Sequence, residues 1–560
     1  MNKIIFFTLL ALSFASCKKN NHVNYIISQN FDKESTSLEV SMEFKANNNG
    51  TTILLFQDKA WGQENLHNTI SNLKTLQKTQ IEINKDSGWV VFKHAKNLDK
   101  IKLSYILKQD SKLPTTTKNT YRPIIQKEYF HLFSHNFFMI PKSYVQNSFS
   151  SFDVNIEWSG FKSDFNLVNS FGTNKRNQII KNTNLDQFHS AIFVGGDYKT
   201  YLLDINNNQA VLAIKGNWKA FKDTTMVKIL AKTLKAQRDF WKDHSQKYFA
   251  VTMSPTHLKR GSSFQGSGLT NSFATSASNN EYLEIEGLLY LFNHELQHNW
   301  IGLLIKNDNE EEQYWFSEGF TDYYTIKNIA KNKIYNLNVN YFIKEFNQMV
   351  KALYNSPVRE APNKEINYKN FWSNRDYSKL PYRRGALFAF YLDNKIKQDS
   401  KGEKSLDDLM LAIKDDAIKN KQKITHSYFI KKANVFLNED LKPFFEKHIE
   451  NGKLFDMKTI FSEFGFDYNP SSMAFDLGFT FTKDKKYIAE IDINSNAYKA
   501  GLRKGDQITS RSYYRNNTKK DAQFKVKKGK TEKLYIYLPV KNAQIPTLRE
   551  SKNNTLILPF

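Results

Sequence analysis

The chain has 560 residues, 40% of them hydrophobic and 14% aromatic, which is enough for several folded domains and too apolar for a disordered chain. Lysine and arginine outnumber aspartate and glutamate by 80 to 56, giving a net charge of +24. That excess is spread along the chain, without zinc-finger spacing, an aromatic nucleic-acid signature or a phosphate-binding glycine loop, so no nucleic-acid partner is expected.

Residues 1–17 read MNKIIFFTLLALSFASC, with Lys3, an apolar run from Ile4 to Phe14, and small residues before Cys17. This is the pattern of a secretory signal, and Ala15-Ser16-Cys17 resembles a lipobox whose thiol becomes acylated. The expectation is a signal peptide over 1–16 and an extracytoplasmic protein, lipid-anchored to a bacterial membrane through Cys17. An ordinary signal with an incidental cysteine is the alternative. Cys17 is the single cysteine, so disulfides cannot contribute and core burial must stabilise the fold. Beyond the signal, no run reaches the ~20 apolar residues of a membrane-spanning helix.

Residues 24–180 carry short alternating runs, SLEVSMEF (37–44), GWVVF (88–92), KIKLSYIL (100–107) and FDVNIEW (152–158), which predict a β-sandwich-like domain. His131 and His135 within it are four apart, in a setting of strand and loop with no carboxylate partner. Packed histidines are expected there rather than a second metal site. Helical spacing appears near 225–247 and dominates from 281 to about 450; strand-like runs return after about 470.

The segment NHELQHNW (293–300) places His294 and His298 one helical turn apart on one face, where two imidazoles can share one zinc. Glu295 projects beside that face, where a carboxylate can take a proton from a metal-activated water. A helix is expected here, capped by Asn279 or Asn280, with Glu281 in its first turn and nothing to break it across 288–301. Two solvated histidines on an amphipathic helix are the alternative. Downstream, in YWFSEGFTDYY (314–324), Glu318 is placed to be a third, anionic ligand that leaves one coordination position open. Asp322, at i+4 from Glu318, is positioned to accept the second ring N–H of a histidine ligand, or else to sit solvated on the surface.

Together HELQH and WFSEGFTDYY resemble the gluzincin zinc metallopeptidases, most closely the glycyl aminopeptidase family. That resemblance implies an N-terminal β domain, a mainly helical, thermolysin-like catalytic domain over 181–460 and a C-terminal PDZ domain over 465–545, a multidomain α+β architecture. It implies one zinc per chain on His294, His298 and Glu318, with Glu295 as general base and a peptide or protein as substrate. LPYRRGALFAFYLD (380–393) resembles the helix start that supplies a catalytic tyrosine in related aminopeptidases, which would be Tyr382; Arg384 stands where the family commonly has lysine. KYFAVTMSP (247–255) and GSGLTNS (266–272) resemble the family's edge strand and substrate loop, here Gly266, Gly268, Leu269, Thr270 and Asn271. Relatives often have Glu-His where Thr270-Asn271 stand, and a neutral pair cannot hold a free α-amino group as an acid does. Aminopeptidase action on small N-terminal residues therefore competes with endopeptidase action. INSNAYKAGLRKGDQI (493–508) resembles a PDZ pattern, with Leu477-Gly478-Phe479 as the loop for a C-terminal peptide carboxylate. A non-catalytic scaffold working through that domain is the rival of another class.

Overall fold

The computed structural model describes residues 21–32, 35–84, 88–147, 150–515 and 517–557; the expected signal peptide and Cys17 lie outside them. Contacts gather these residues into two units. One runs to Asp223 and includes Ser245–Glu284; the other comprises Thr224–His244 and everything from Ile285. No helix among the described residues is long and apolar enough to cross a membrane.

The alternating runs become strands in the first unit. β1 (Asn21–Asp32), β2 (Ser35–Lys45), β3 (Ile70–Thr75), β4 (Lys100–Lys108), β5 (Phe152–Ser159) and β6 (Asn177–Thr183) form one sheet in the order β6-β5-β1-β2-β4-β3. In β4 the buried residues alternate strictly with exposed or half-exposed ones, as a strand packed on one face requires. A second, four-stranded sheet contains Thr51–Leu55 and Trp89–Lys93, and one core takes Val23, Val40 and Phe152 from the first sheet with Leu54 and Phe92 from the second. His131 and His135 are buried in this unit against Phe133 and, for His135, Trp61.

The unit does not end near residue 180. It continues into a five-stranded sheet of β7 (Lys199–Ile205), β8 (Asn208–Ile214), β9 (Tyr248–Thr256), β10 (Phe264–Leu269) and β11 (Ser272–Ser278), in the order β7-β8-β9-β11-β10. KYFAVTMSP, expected at an edge, is the interior strand β9, with parallel neighbours on both sides and nearly every residue buried. A strand covered on both faces does not alternate apolar with exposed polar residues, and here Phe249, Ala250, Val251 and Met253 are buried together with the small polar Thr252 and Ser254. The edge is β10.

The second unit is helical from α1 (Asp223–Trp241) and α2 (Ile285–Gln297) through α3 (Gly319–Lys331), α4 (Val339–Tyr354), α5 (Arg375–Asp399) and α6 (Leu406–Asn420). α3 and α5 meet backbone to backbone. A methyl group on Gly385 would lie 1.8 Å from the Trp315 carbonyl oxygen and 2.8 Å from the Gly319 Cα, so only glycine permits this crossing. A buried charge cluster fixes the same helices further along, where the Lys327 ammonium on α3 pairs with Asp393 on α5 at 3.0 Å and Asp407 on α6 at 2.7 Å. From residue 465 short strands return, among them β12 (Phe479–Phe481), β13 (Ile488–Ile491), β14 (Gln507–Ser512), β15 (Ala522–Lys528) and β16 (Thr531–Tyr537), around a core of Phe479, Ile488, Leu502, Phe524 and Val526.

Candidate metal centre

α2 buries Leu288, Leu289, Phe292 and Leu296 at helical spacing, and this stripe orients His294 on the neighbouring face. The helix starts at Ile285, later than expected. Asn280 does not cap it: its amide donates to the Leu258 and Gly261 carbonyls while its oxygen accepts from the Tyr282 N–H. Glu286, not Glu281, lies in the first turn. His298 sits in the turn just past the helix, and its N–H still reaches the Glu295 carbonyl at 3.2 Å. The chain then reverses at Gly302, whose φ of +110° suits glycine.

Each histidine has one ring nitrogen committed as a donor. His294 Nδ1 donates to Asp322 Oδ1 at 2.9 Å, and His298 Nδ1 donates to the Ile301 carbonyl at 2.9 Å. Both Nε2 lone pairs therefore point to the same place, 3.2 Å apart. Glu318 stands between the short helix Tyr314–Ser317 and α3, with Oε2 at 3.3 Å from His294 Nε2 and 3.7 Å from His298 Nε2. That oxygen is buried and finds no well-oriented hydrogen bond. Two nitrogens bound at 2.0–2.1 Å in tetrahedral geometry are about 3.3 Å apart, so the convergent donors fit a zinc ion. They are also the one cluster of metal-ligating side chains found among the described residues, with ligand atoms all within 4.8 Å of one another.

Surrounding groups tune these donors. Burial favours neutral His294, but Asp322 and Glu318 outweigh it and push its pKa up to about 10 when no ion competes. Burial pushes the Glu318 carboxyl up; the His298 and His294 charges and the Tyr382 hydroxyl outweigh it and bring it down to about 2. Asp322, the expected histidine partner, also accepts from the Tyr290 hydroxyl at 2.5 Å. Tyr290 was not singled out from the sequence; its signal is its place one turn before His294 on α2. Tyr382 projects from α5 with its ring 6.0 Å from that of His294, its hydroxyl bonded to Glu318 and the Lys379 ammonium 4.1 Å over its face. Burial, and then the Glu318 and Asp322 charges, raise the Tyr382 pKa. Glu295 is half-buried at the same place, where its charge acts on the Tyr382 hydroxyl. Tyr382 is not at a helix start: Asn374 caps α5 and Pro381 lies inside it.

No family model matches the chain, and no curated protein matches it. Solved structures do. An aminopeptidase N family protein from Idiomarina loihiensis aligns over 96% of this chain and 100% of its own, with a TM-score of 0.70 at 14% identity. The fold is shared. An M1 zinc metallopeptidase from Deinococcus radiodurans aligns over 78% of this chain and 95% of its own, with a TM-score of 0.44 at 12% identity.

The remaining expected site residues lie elsewhere. Gly266, Gly268 and Leu269 are on edge strand β10, and Thr270-Asn271 form the tight turn into β11, Asn271 in the left-handed region with φ of +48°. The Thr270 N–H donates to the Ser190 carbonyl and the Asn271 carbonyl accepts from the Ala250 N–H, so this turn is held by its main chain. In the C-terminal strands the loop at Leu477-Gly478-Phe479 is not a row of open N–H donors. Gly478 donates to the Asp476 carboxylate at 2.7 Å, and the Leu477 carbonyl accepts from the Tyr537 hydroxyl. An acid two residues upstream closes the turn on itself, occupying the donor that a ligand carboxylate needs.

Proposed function

We propose that this chain is a zinc-dependent peptidase of the gluzincin type, acting on small N-terminal residues of peptides. The observation that carries the reading is the convergence of His294 Nε2, His298 Nε2 and Glu318 Oε2 within 4.8 Å. The groups around them supply what hydrolysis requires. The fold shared with an aminopeptidase N family protein supports the same reading.

His294, His298 and Glu318 would hold the zinc, and Asp322 would keep the His294 tautomer and ring orientation. When bound, the ion supplies Lewis acidity. Glu295 takes a proton from the attacking water onto its carboxylate and returns it to the departing amine. Tyr382 turns its hydroxyl from Glu318 toward the scissile carbonyl oxygen as that oxygen gains charge. Endopeptidase action is the second reading, favoured by the neutral Thr270-Asn271 turn. A scaffold acting through a PDZ-type module over 465–545 is less well supported, because Asp476 already occupies the Gly478 N–H. We further place the protein on the outside of a bacterial membrane, anchored through Cys17, on the strength of its N-terminal sequence.

The test uses zinc-loaded protein, its Glu295→Gln variant, and one peptide mixture offered with free and acetylated N-termini, with products read by mass spectrometry. Stepwise loss from free peptides alone marks an aminopeptidase; internal cuts in both forms mark an endopeptidase. Loss of the base lowers turnover about 10²–10⁴-fold while zinc stays bound. Wild-type turnover no greater than that of the zinc-bound Gln variant removes the catalytic reading.

A further inference from the structure

Within the second unit, α4 and the C-terminal strands enclose a cavity of about 520 Å³ in which cations outnumber anions: Lys344, Lys351, Arg515 and Lys519 against Glu550. Two cross-links join its walls. The Asn347 side chain donates to the Leu548 carbonyl at 2.9 Å and accepts from the Leu548 N–H at 2.8 Å, and Arg515 pairs with Asp376 on α5 at 2.9 Å. Lys344 is engaged by Glu286 and Glu345. Lys351 and Lys519 have no ion-pair partner among the described residues. Burial and the nearby Lys519 charge hold the half-buried Lys351 below the ordinary lysine range.

Two ammonium groups that line one cavity, neither paired with a carboxylate, repel, and an incoming anion relieves that repulsion. The rest of the lining decides what kind of anion fits. Phe475, Ile343 and Leu548 offer apolar surface, and Asn355 adds a side-chain amide able to pair with a main chain, whereas the Asn517 oxygen already accepts from the Lys519 and Lys520 N–H groups. The volume is that of a site for an organic ligand and far exceeds what one inorganic anion fills.

We propose that this cavity is an exosite for an acidic stretch of a polypeptide substrate, with Lys351 and Lys519 receiving its carboxylates. The inference rests on the peptidase reading and names a substrate class for it. Asp376, which anchors Arg515, precedes Tyr382 by six residues on α5, about 9 Å of helix rise. The rim of the cavity thus stands on the helix that carries the proposed oxyanion donor.

Zinc-loaded full-length Glu295→Gln protein is titrated with fluorescent octaglutamate and octaglutamine, and anisotropy is read at low and high sodium chloride. Octaglutamate is expected to bind about tenfold or more tighter than octaglutamine and to weaken with salt. Lys351→Gln with Lys519→Gln should remove most of that preference, and Glu550→Gln should strengthen it. Equal binding of the two peptides, no effect of the lysine pair, or displacement by equimolar inorganic phosphate overturns the proposal. A parallel assay of Glu295-containing protein compares kcat/KM for substrates with acidic and neutral tails; the lysine variants should lower that ratio. If neither substrate is cut, the peptidase reading fails, while the anisotropy still reports on the cavity.

Discussion

His294 is held on two sides, Nδ1 by Asp322 and Nε2 toward Glu318, and this makes Asp322 the residue whose removal separates metal holding from folding. Asp322→Ala leaves the imidazole free to rotate and take the other tautomer, and zinc affinity should drop about 10–100-fold. Asp322→Asn keeps an acceptor without the charge and should fall between the two. Chelator competition measures both, and an unchanged affinity in the alanine variant would show that Asp322 plays no part in the site. At this scale the sequence was informative where spacing itself carries the chemistry. Histidines four positions apart along a helical turn share one face, whereas the place of Tyr290 depends on how α2 and α3 pack, which no local pattern encodes. His131 and His135 have the same spacing but lie on a strand and a short turn against aromatic rings, so spacing without a helix brings no ligand pair together.

At the level of elements, the α3–α5 crossing positions Glu318 against Tyr382, and it depends on two glycines in contact. A Gly385→Ala methyl would meet the Trp315 carbonyl, which belongs to the backbone and cannot swing aside. The helices must separate, at a cost of about 1–3 kcal/mol or more in stability and with weakened zinc binding, since Glu318 moves with α3. Thermal unfolding and zinc titration of this variant, beside Gly268→Ala where an added methyl meets nothing within 4 Å, test the claim. Equal melting temperatures for the two would refute it. Helix boundaries were harder to read than helix existence. Pro381 looks like a first-turn residue, but Asn374 supplies the cap and the helix runs through the proline. Asn280 looks like a cap, but its side chain is consumed by the Leu258–Gly261 loop. In each case a competing long-range or neighbouring hydrogen bond decides where the element begins.

Across the molecule, β-rich, helical and strand-bearing regions follow one another along the chain in the order that periodicity indicates, but the division between units does not. Residues 245–284 join the first unit because β9 pairs in parallel with β8 across the intervening helix α1, a non-local pairing that composition cannot show. That first unit also buries His131, His135 and His189, and this gives it a specific response to acid. Burial holds His131 and His135 down to about 4; burial, and then the neighbouring His135, hold His189 down to about 3. In the unfolded chain each titrates near 6.5. Below that pH the unfolded state takes up protons that the folded state refuses, so stability falls as pH drops from about 6.5 toward 4. For His131 alone the loss at pH 5 relative to neutral pH is about 2 kcal/mol. His131→Leu, similar in size and unable to titrate, should lose correspondingly less stability between pH 7.5 and pH 5 than the wild type, as read from unfolding followed at both values. Parallel losses in the two proteins would mean that His131 does not drive the acid response, whatever the stability of the variant at neutral pH.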